Sequence, residues 1–257
     1  MMNGKILILL FAFCTLILAS CQKPNNDFSG NINLNFEIQV DGVDLVPHSL
    51  IYHNAAGNTY QVDEVKFFLS QIEFLSESGD KQLVKLDNNA HYYDSDIPAS
   101  HLLEINEMKL GKYDSISFIF GLLPEQNLTG FFVNPPENNM AWPDALGGGY
   151  HYMQINGKWL NNNDSLAPFN LHTGRGQIYS DNQITNFVDN YFRVALPLND
   201  CIIRDNQTAV IHLVMNVNAW FKSPNIYDFN VLGGSIMQNQ NAQQMLRENG
   251  ANVFSIK

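Results

Sequence analysis

Four side chains in this sequence carry soft donor atoms where a folded β protein could gather them: Met140, His151, Met153 and His172. Neutral imidazole nitrogen and thioether sulfur suit copper(I), but none of the four has a short ligand spacing, so only the tertiary fold could assemble them. His151 and Met153 share one strand face by alternation, whereas His172 alternates with Phe169 and Leu171 and stands just before Thr173-Gly174, at a strand end well placed for a ligand. Each imidazole could equally be an ordinary hydrogen-bonded or solvated side chain. Trp142, beside Pro143 in a glycine-rich segment, offers a ring large enough to plug one end of the fold, a role compatible with a functional one. His48, His53, His91, His101 and His212 are expected to be hydrogen-bonded or solvated, with His212 pointing away from the apolar face of its strand.

Other chemistries find little support. Gly147-Gly148-Gly149 lacks the following helix and Lys-Ser/Thr of a phosphate loop. Asp94-Ser95-Asp96 lacks the rest of a calcium loop and is expected to be a solvated turn. Asp63 and Glu64 are adjacent and so fall on opposite faces of a strand, the wrong disposition for joint acid and base work. The sequence contains no Gly-x-Ser-x-Gly, His-Glu-x-x-His or Cys-x-x-Cys, and with no catalytic constellation a non-enzymatic protein is expected.

The elements that would position these residues are strands. Residues 31–40 alternate strictly, with Ile32, Leu34, Phe36, Ile38 and Val40 on one side, and an Asp41-Gly42 turn follows. Residues 60–74 hold enough apolar side chains for one long strand with a bulge or two short ones. Further strands are expected over 83–86, 115–120, 150–155, 191–196 and 209–220, and helices only over 101–108 and 235–247. Residues 123–149 contain four prolines, four glycines and little periodicity, the mark of a long ordered loop of the kind that often carries function. Short strands separated by turn signals predict an all-β protein, an antiparallel β-sandwich with long loops and one short C-terminal helix.

The chain opens with Lys5 and an apolar stretch over 6–18, the anatomy of a secretory signal and too short to span a bilayer comfortably. That stretch runs into Leu18-Ala19-Ser20-Cys21, and small residues before a Cys are what a lipoprotein signal peptidase needs. Residues 1–20 are therefore expected to be removed, Cys21 to be fatty-acylated, 21–30 to be a polar tether and 31–257 to form one domain. The net charge of −11 grows by one negative unit when Lys5 leaves, which argues against nucleic acid as a partner. With Cys14 removed and Cys21 acylated, Cys201 has no intrachain disulfide partner and is expected to be a buried apolar filler.

The run Asn139-Met140-Ala141-Trp142-Pro143-Asp144-Ala145-Leu146-Gly147-Gly148-Gly149-Tyr150-His151-Tyr152-Met153, then Gln154-Ile155-Asn156-Gly157, resembles a segment of the MbnP-like copper-binding family. These are methanobactin-associated periplasmic proteins related to MopE and CorA. Tyr52-His53-Asn54-Ala55-Ala56-Gly57-Asn58-Thr59-Tyr60-Gln61-Val62, Lys66-Phe67-Phe68-Leu69-Ser70-Gln71-Ile72 and Phe169-Asn170-Leu171-His172-Thr173-Gly174 fit the same family in order and spacing. The resemblance implies a β-sandwich that holds copper outside the cytoplasm, in some members through histidines beside a tryptophan that a di-haem partner enzyme oxidises to kynurenine. On this likeness Trp142 matches the loop tryptophan and His172 the histidine of Phe-x-x-His-x-Gly. The chain departs from the pattern at Ile38, where members often have a first-strand histidine, and at Pro143, where a second aromatic stands beside the tryptophan.

The expected protein is thus a lipid-anchored, non-enzymatic copper binder of the bacterial cell envelope, on the periplasmic side or the outer surface. His172, His151, Trp142 and Met140 would form or surround its metal site, the membrane would hold it through Cys21, and a di-haem peroxidase-like enzyme would be its partner. The alternative is a metal-free surface module that uses the loop over 123–149 to hold a glycan or a partner protein.

Overall fold

The computed structural model describes residues 28–257, so the signal segment expected over 1–20 and the acylation expected at Cys21 lie outside the described residues. In chain order its strands are β1 (Ser29–Val40), β2 (Val43–Asp44), β3 (Tyr52–His53), β4 (Thr59–Ser76), β5 (Lys81–Leu83), β6 (Ala90–Asp94), β7 (Leu102–Lys109) and β8 (Gly111–Phe120). After the long loop come β9 (Met153–Leu160), β10 (Leu166–Thr173), β11 (Arg175–Ser180), β12 (Gln183–Asp189), β13 (Phe192–Ile203) and β14 (Thr208–Asn216). Two helices, α1 (Phe229–Leu232) and α2 (Gln240–Asn249), precede β15 (Phe254–Ile256). Among the described residues no helix is long and apolar enough to cross a membrane.

Two sheets enclose the core. One runs β15-β14-β1-β2, with β7 also paired to β1; the other runs β10-β9-β4-β8-β13, with β3, β5 and β6 also paired to β4. The alternation of β1 buries Ile32, Leu34, Phe36, Ile38 and Val40 against the facing sheet, as the pattern predicts. Among the described strands pairing is antiparallel apart from β1 with β14, which lie parallel in unbroken register from Asn31↔Thr208 to Gln39↔Asn216; an isolated parallel bridge joins Asn170 to Ser235. Phe120 sits where the sheets meet, its ring 5.7 Å from Phe67, 5.2 Å from Phe192, 5.2 Å from Trp220 and 5.4 Å from Phe254. The architecture is the expected β-sandwich.

Of the two sequence alternatives for residues 60–74, the first holds: β4 is a single strand, broken in register against β8 between Ser70 and Glu73, with Gln71 at φ 51°. The helix expected over 101–108 is instead β7, paired with β1. A bulge explains the error. Glu107 sits at φ 59°, so Ile105 and Met108 are both buried although they stand three residues apart, a spacing that imitates one face of a helix. The strand expected over 83–86 is displaced upstream into β5. The C-terminal helix begins later than expected, at α2, where the Asn239 side chain accepts the Ala242 N–H and caps it. Neither the β11–β12 hairpin nor β15 stands out in the sequence. Cys201 is buried on β13 across from Tyr113, where burial raises the thiol pKa and disfavours the reactive thiolate.

Candidate metal centre

The loop over 123–149 folds back over the outer face of the larger sheet. Phe68, which points away from the main core on β4, stacks on Phe132 at 5.0 Å, and Phe132 meets Tyr150 edge-on at 4.9 Å. Leu122, Tyr92, Met140 and Tyr152 complete this second apolar cluster. The Tyr150 hydroxyl donates to Phe132 O (3.1 Å) and accepts from Phe132 N (2.8 Å), while Asn127 Nδ2 donates to the Tyr152 hydroxyl (3.0 Å). Gly147, Gly148 and Gly149 all have positive φ, 108°, 62° and 85°, which is why three glycines stand at the tight return of the chain. That return sets an isolated bridge, Ala141↔Tyr150, which brings Trp142 beside His151.

Three rings converge there. The Trp142 indole lies 4.8 Å from the His151 imidazole at 70°, and His151 lies 4.9 Å from His172 at 89°. His172 arrives from the neighbouring strand because the β9–β10 hairpin places it opposite Gln154, just past His151. Met140 contributes through its backbone: its carbonyl accepts from His151 N (2.7 Å) and from His151 Nδ1 (2.9 Å), while its side chain packs into the second apolar cluster. Met153, expected on the face of His151, points into the main core instead, because regular β structure begins only after the bend at His151 and Tyr152.

The electrostatics favour neutral imidazoles. His151 is 6% exposed, and burial lowers its pKa to about 4 against a small opposing effect of the Met140 carbonyl. His172 falls to about 3 through burial, then the neighbouring His151, then Lys66. With Nδ1–H donated to Met140 O, His151 carries a bare Nε2, and that atom is buried with no hydrogen-bond partner among the described residues. A buried acceptor left unpaired costs about 1–3 kcal/mol, so it marks a position kept for something other than stability. A shallow depression lined by Asn170, His172, Ser235, Met237 and Gln238 opens beside His172 and adds a thioether at the mouth.

Trp142 is held from several sides. Its Nε1–H donates to Leu146 O (3.2 Å), which also accepts from Gln177 Nε2 (3.1 Å) on β11, and its six-membered ring lies against Gly174. A Cβ at Gly174 would stand 2.7 Å from Trp142 Cε3, so only glycine fits the Phe-x-x-His-x-Gly segment at this point. Gly174→Ala is expected to displace the indole, destabilise the protein by about 1–3 kcal/mol and shift the tryptophan emission, as urea unfolding followed by fluorescence will show.

The other histidines are engaged elsewhere. His91 Nε2 donates to Ser100 O, His101 Nε2 to Asp94 O, His48 meets Asp63, His53 meets Thr59, and His212 meets Glu37 at 2.6 Å. Asp94 is no solvated turn residue: it is buried, accepts the Tyr92 hydroxyl (2.7 Å) and lies 3.8 Å from Lys66 Nζ. Its carboxylate approaches those of Glu64 and Asp96, and Lys66 pairs with both Glu64 and Asp94, which offsets part of the negative charge gathered there. Sequence reasoning missed Asn156 and Glu64. His172 Nε2 is 2.8 Å from Asn156 Oδ1, and Asn156 Nδ2 donates to Glu64 Oε2 at 2.8 Å. The signal that could have found them is the pairing of three adjacent strands, Glu64↔Asn156 across β4 and β9 and His172↔Gln154 across β9 and β10.

No curated protein matches the sequence. Among solved structures, MbnP from Methylosinus trichosporium has the same fold, with a TM-score of 0.51 at 13% identity over 77% of this chain and 79% of that one. A sequence profile of the MbnP family matches residues 29–241, and with that match spanning both sheets and the three converging rings, the chain belongs to the MbnP family.

Proposed function

We propose that this protein is a non-enzymatic copper-binding protein of the bacterial envelope, anchored through an acylated Cys21, with His151 and His172 as nitrogen ligands beside Trp142. The observation that carries this reading is the bare, buried Nε2 of His151, held neutral between an indole and a second neutral imidazole. Metal ligands must be unprotonated, and these imidazoles meet that condition without competition from a proton at neutral pH. Two imidazole nitrogens with a thioether at the rim form a donor set suited to copper(I), which would be held here as cargo. Met140 would act by fixing the His151 ring, not as a sulfur ligand.

The family likeness supports an extracytoplasmic site and a di-haem peroxidase-like partner. Trp142 is 2% exposed, so such a partner would draw electrons through the covering loop and the β11–β12 hairpin without touching the ring. Metal analysis of protein produced with its native export signal tests the proposal: near-stoichiometric copper is expected in the wild type and background copper in His172→Ala. Copper at background in both would overturn it.

A further inference from the structure

We infer that Asn156, oriented by Glu64, is a positioning residue that keeps the single proton of His172 on Nε2 and leaves Nδ1 as the nitrogen available to a ligand; the ligand role rests on the copper reading above. The logic starts at Glu64. Its carboxylate accepts only, so the 2.8 Å contact from Asn156 requires the amide nitrogen on that side and turns the amide oxygen toward His172. An amide oxygen also only accepts, so the 2.8 Å contact to His172 requires Nε2–H, and a neutral imidazole has no second proton to place on Nδ1. Lys66, paired with Glu64 Oε1, anchors the carboxylate from its other oxygen.

The arrangement mirrors His151, which donates from Nδ1 to Met140 O and leaves Nε2 bare. Two perpendicular rings thus offer opposite nitrogens, each fixed by a contact on its far side. Glu64, Asn156 and His172 sit on three adjacent strands, β4, β9 and β10, which fixes their spacing more firmly than loops would. An amide between carboxylate and imidazole also has a chemical consequence. A carboxylate in direct contact would favour imidazolium, whereas the neutral amide sets the orientation while contributing no charge at the ring.

The test is a long-range ¹H–¹⁵N correlation on the metal-free, histidine-labelled domain, with His172 assigned by its loss in His172→Gln. The expected result is a proton on Nε2 of His172 and on Nδ1 of His151. Glu64→Leu, which frees the amide to flip, should move His172 to a mixed tautomer and weaken copper(I) binding in a chelator competition about 10–100-fold. Glu64→Gln, which retains an acceptor oxygen, should preserve the tautomer and bind within a few-fold of wild type. A proton on Nδ1 of wild-type His172, or a tautomer unmoved in both Glu64→Leu and Asn156→Leu, would overturn the inference. Tautomers as expected in a protein that takes up no copper would instead remove the copper reading and leave the assignment of Asn156 intact.

Discussion

Titrating the metal-free protein from pH 7.5 to pH 4 is expected to strip it of several kcal/mol of stability, with the loss beginning near pH 6.5. Three imidazoles are held neutral, His151 buried and His91 and His172 half-buried, with folded pKa values of about 4 for His91, about 4 for His151 and about 3 for His172, in each case chiefly because burial penalises the charged ring. In the unfolded chain the same groups titrate near the ordinary histidine value of about 6.5. Below that value the unfolded state binds protons that the folded state refuses, so stability is complete above pH 6.5 and drains away as pH falls toward the folded values. Each group contributes on the order of 3 kcal/mol across this window, against a total of roughly 5–15 kcal/mol for a typical domain. Urea midpoints at pH 7.5, 6, 5 and 4 should therefore decline steeply, and saturating copper(I) should raise the midpoint at pH 5 by occupying the lone pairs the protons seek. A midpoint that stays flat between pH 7 and pH 4.5 would show that these rings are already solvated in the fold.

The sequence carries some of this architecture openly and hides the rest for identifiable reasons. Strict alternation in β1 survives because one face meets the opposite sheet along its whole length, so every second residue had to be apolar. In β7 the same rule fails at a single residue, Glu107, whose bulge shifts the buried positions from a spacing of two to one of three. The parallel pairing of β1 with β14 is invisible locally, because residues such as Leu34 and Ile211 alternate alike whatever the direction of their neighbour. The meeting of His151 and His172 was within reach, since one hairpin between Leu160 and Leu166 sets the register that aligns them. Trp142 needed more: its approach depends on three consecutive left-handed glycines and on the space left by Gly174, and neither follows from periodicity. Glu64 is expected to oppose Asp63 across the strand, but a bulge between Val62 and Glu64 buries Val62 and Val65 and leaves both carboxylates off the core, and Glu64 acts with Asn156 on the next strand, a relation that exists only once strand pairing is known.

Replacing His151 by leucine should make the metal-free protein more stable while abolishing copper binding, a combination that separates a ligand from a structural side chain. The wild-type ring buries an acceptor nitrogen with no partner, at a cost of about 1–3 kcal/mol. Leucine removes that atom and fills similar space against the edge of Trp142, which is itself fully buried and apolar. Little is lost in exchange. Met140 O keeps its bond from the backbone N–H of residue 151 at 2.7 Å, so deleting Nδ1 leaves no carbonyl stranded. The expected gain is about 1–2 kcal/mol at pH 7.5, and it should widen at pH 5, where the wild type suffers from the proton demand of its unfolded histidine and the variant does not. Equilibrium unfolding of both proteins, paired with copper(I) titration, measures the two effects on the same samples. A leucine variant that unfolds more easily than wild type and still binds copper would show that His151 is there to hold the loop, and the metal site would have to be sought elsewhere.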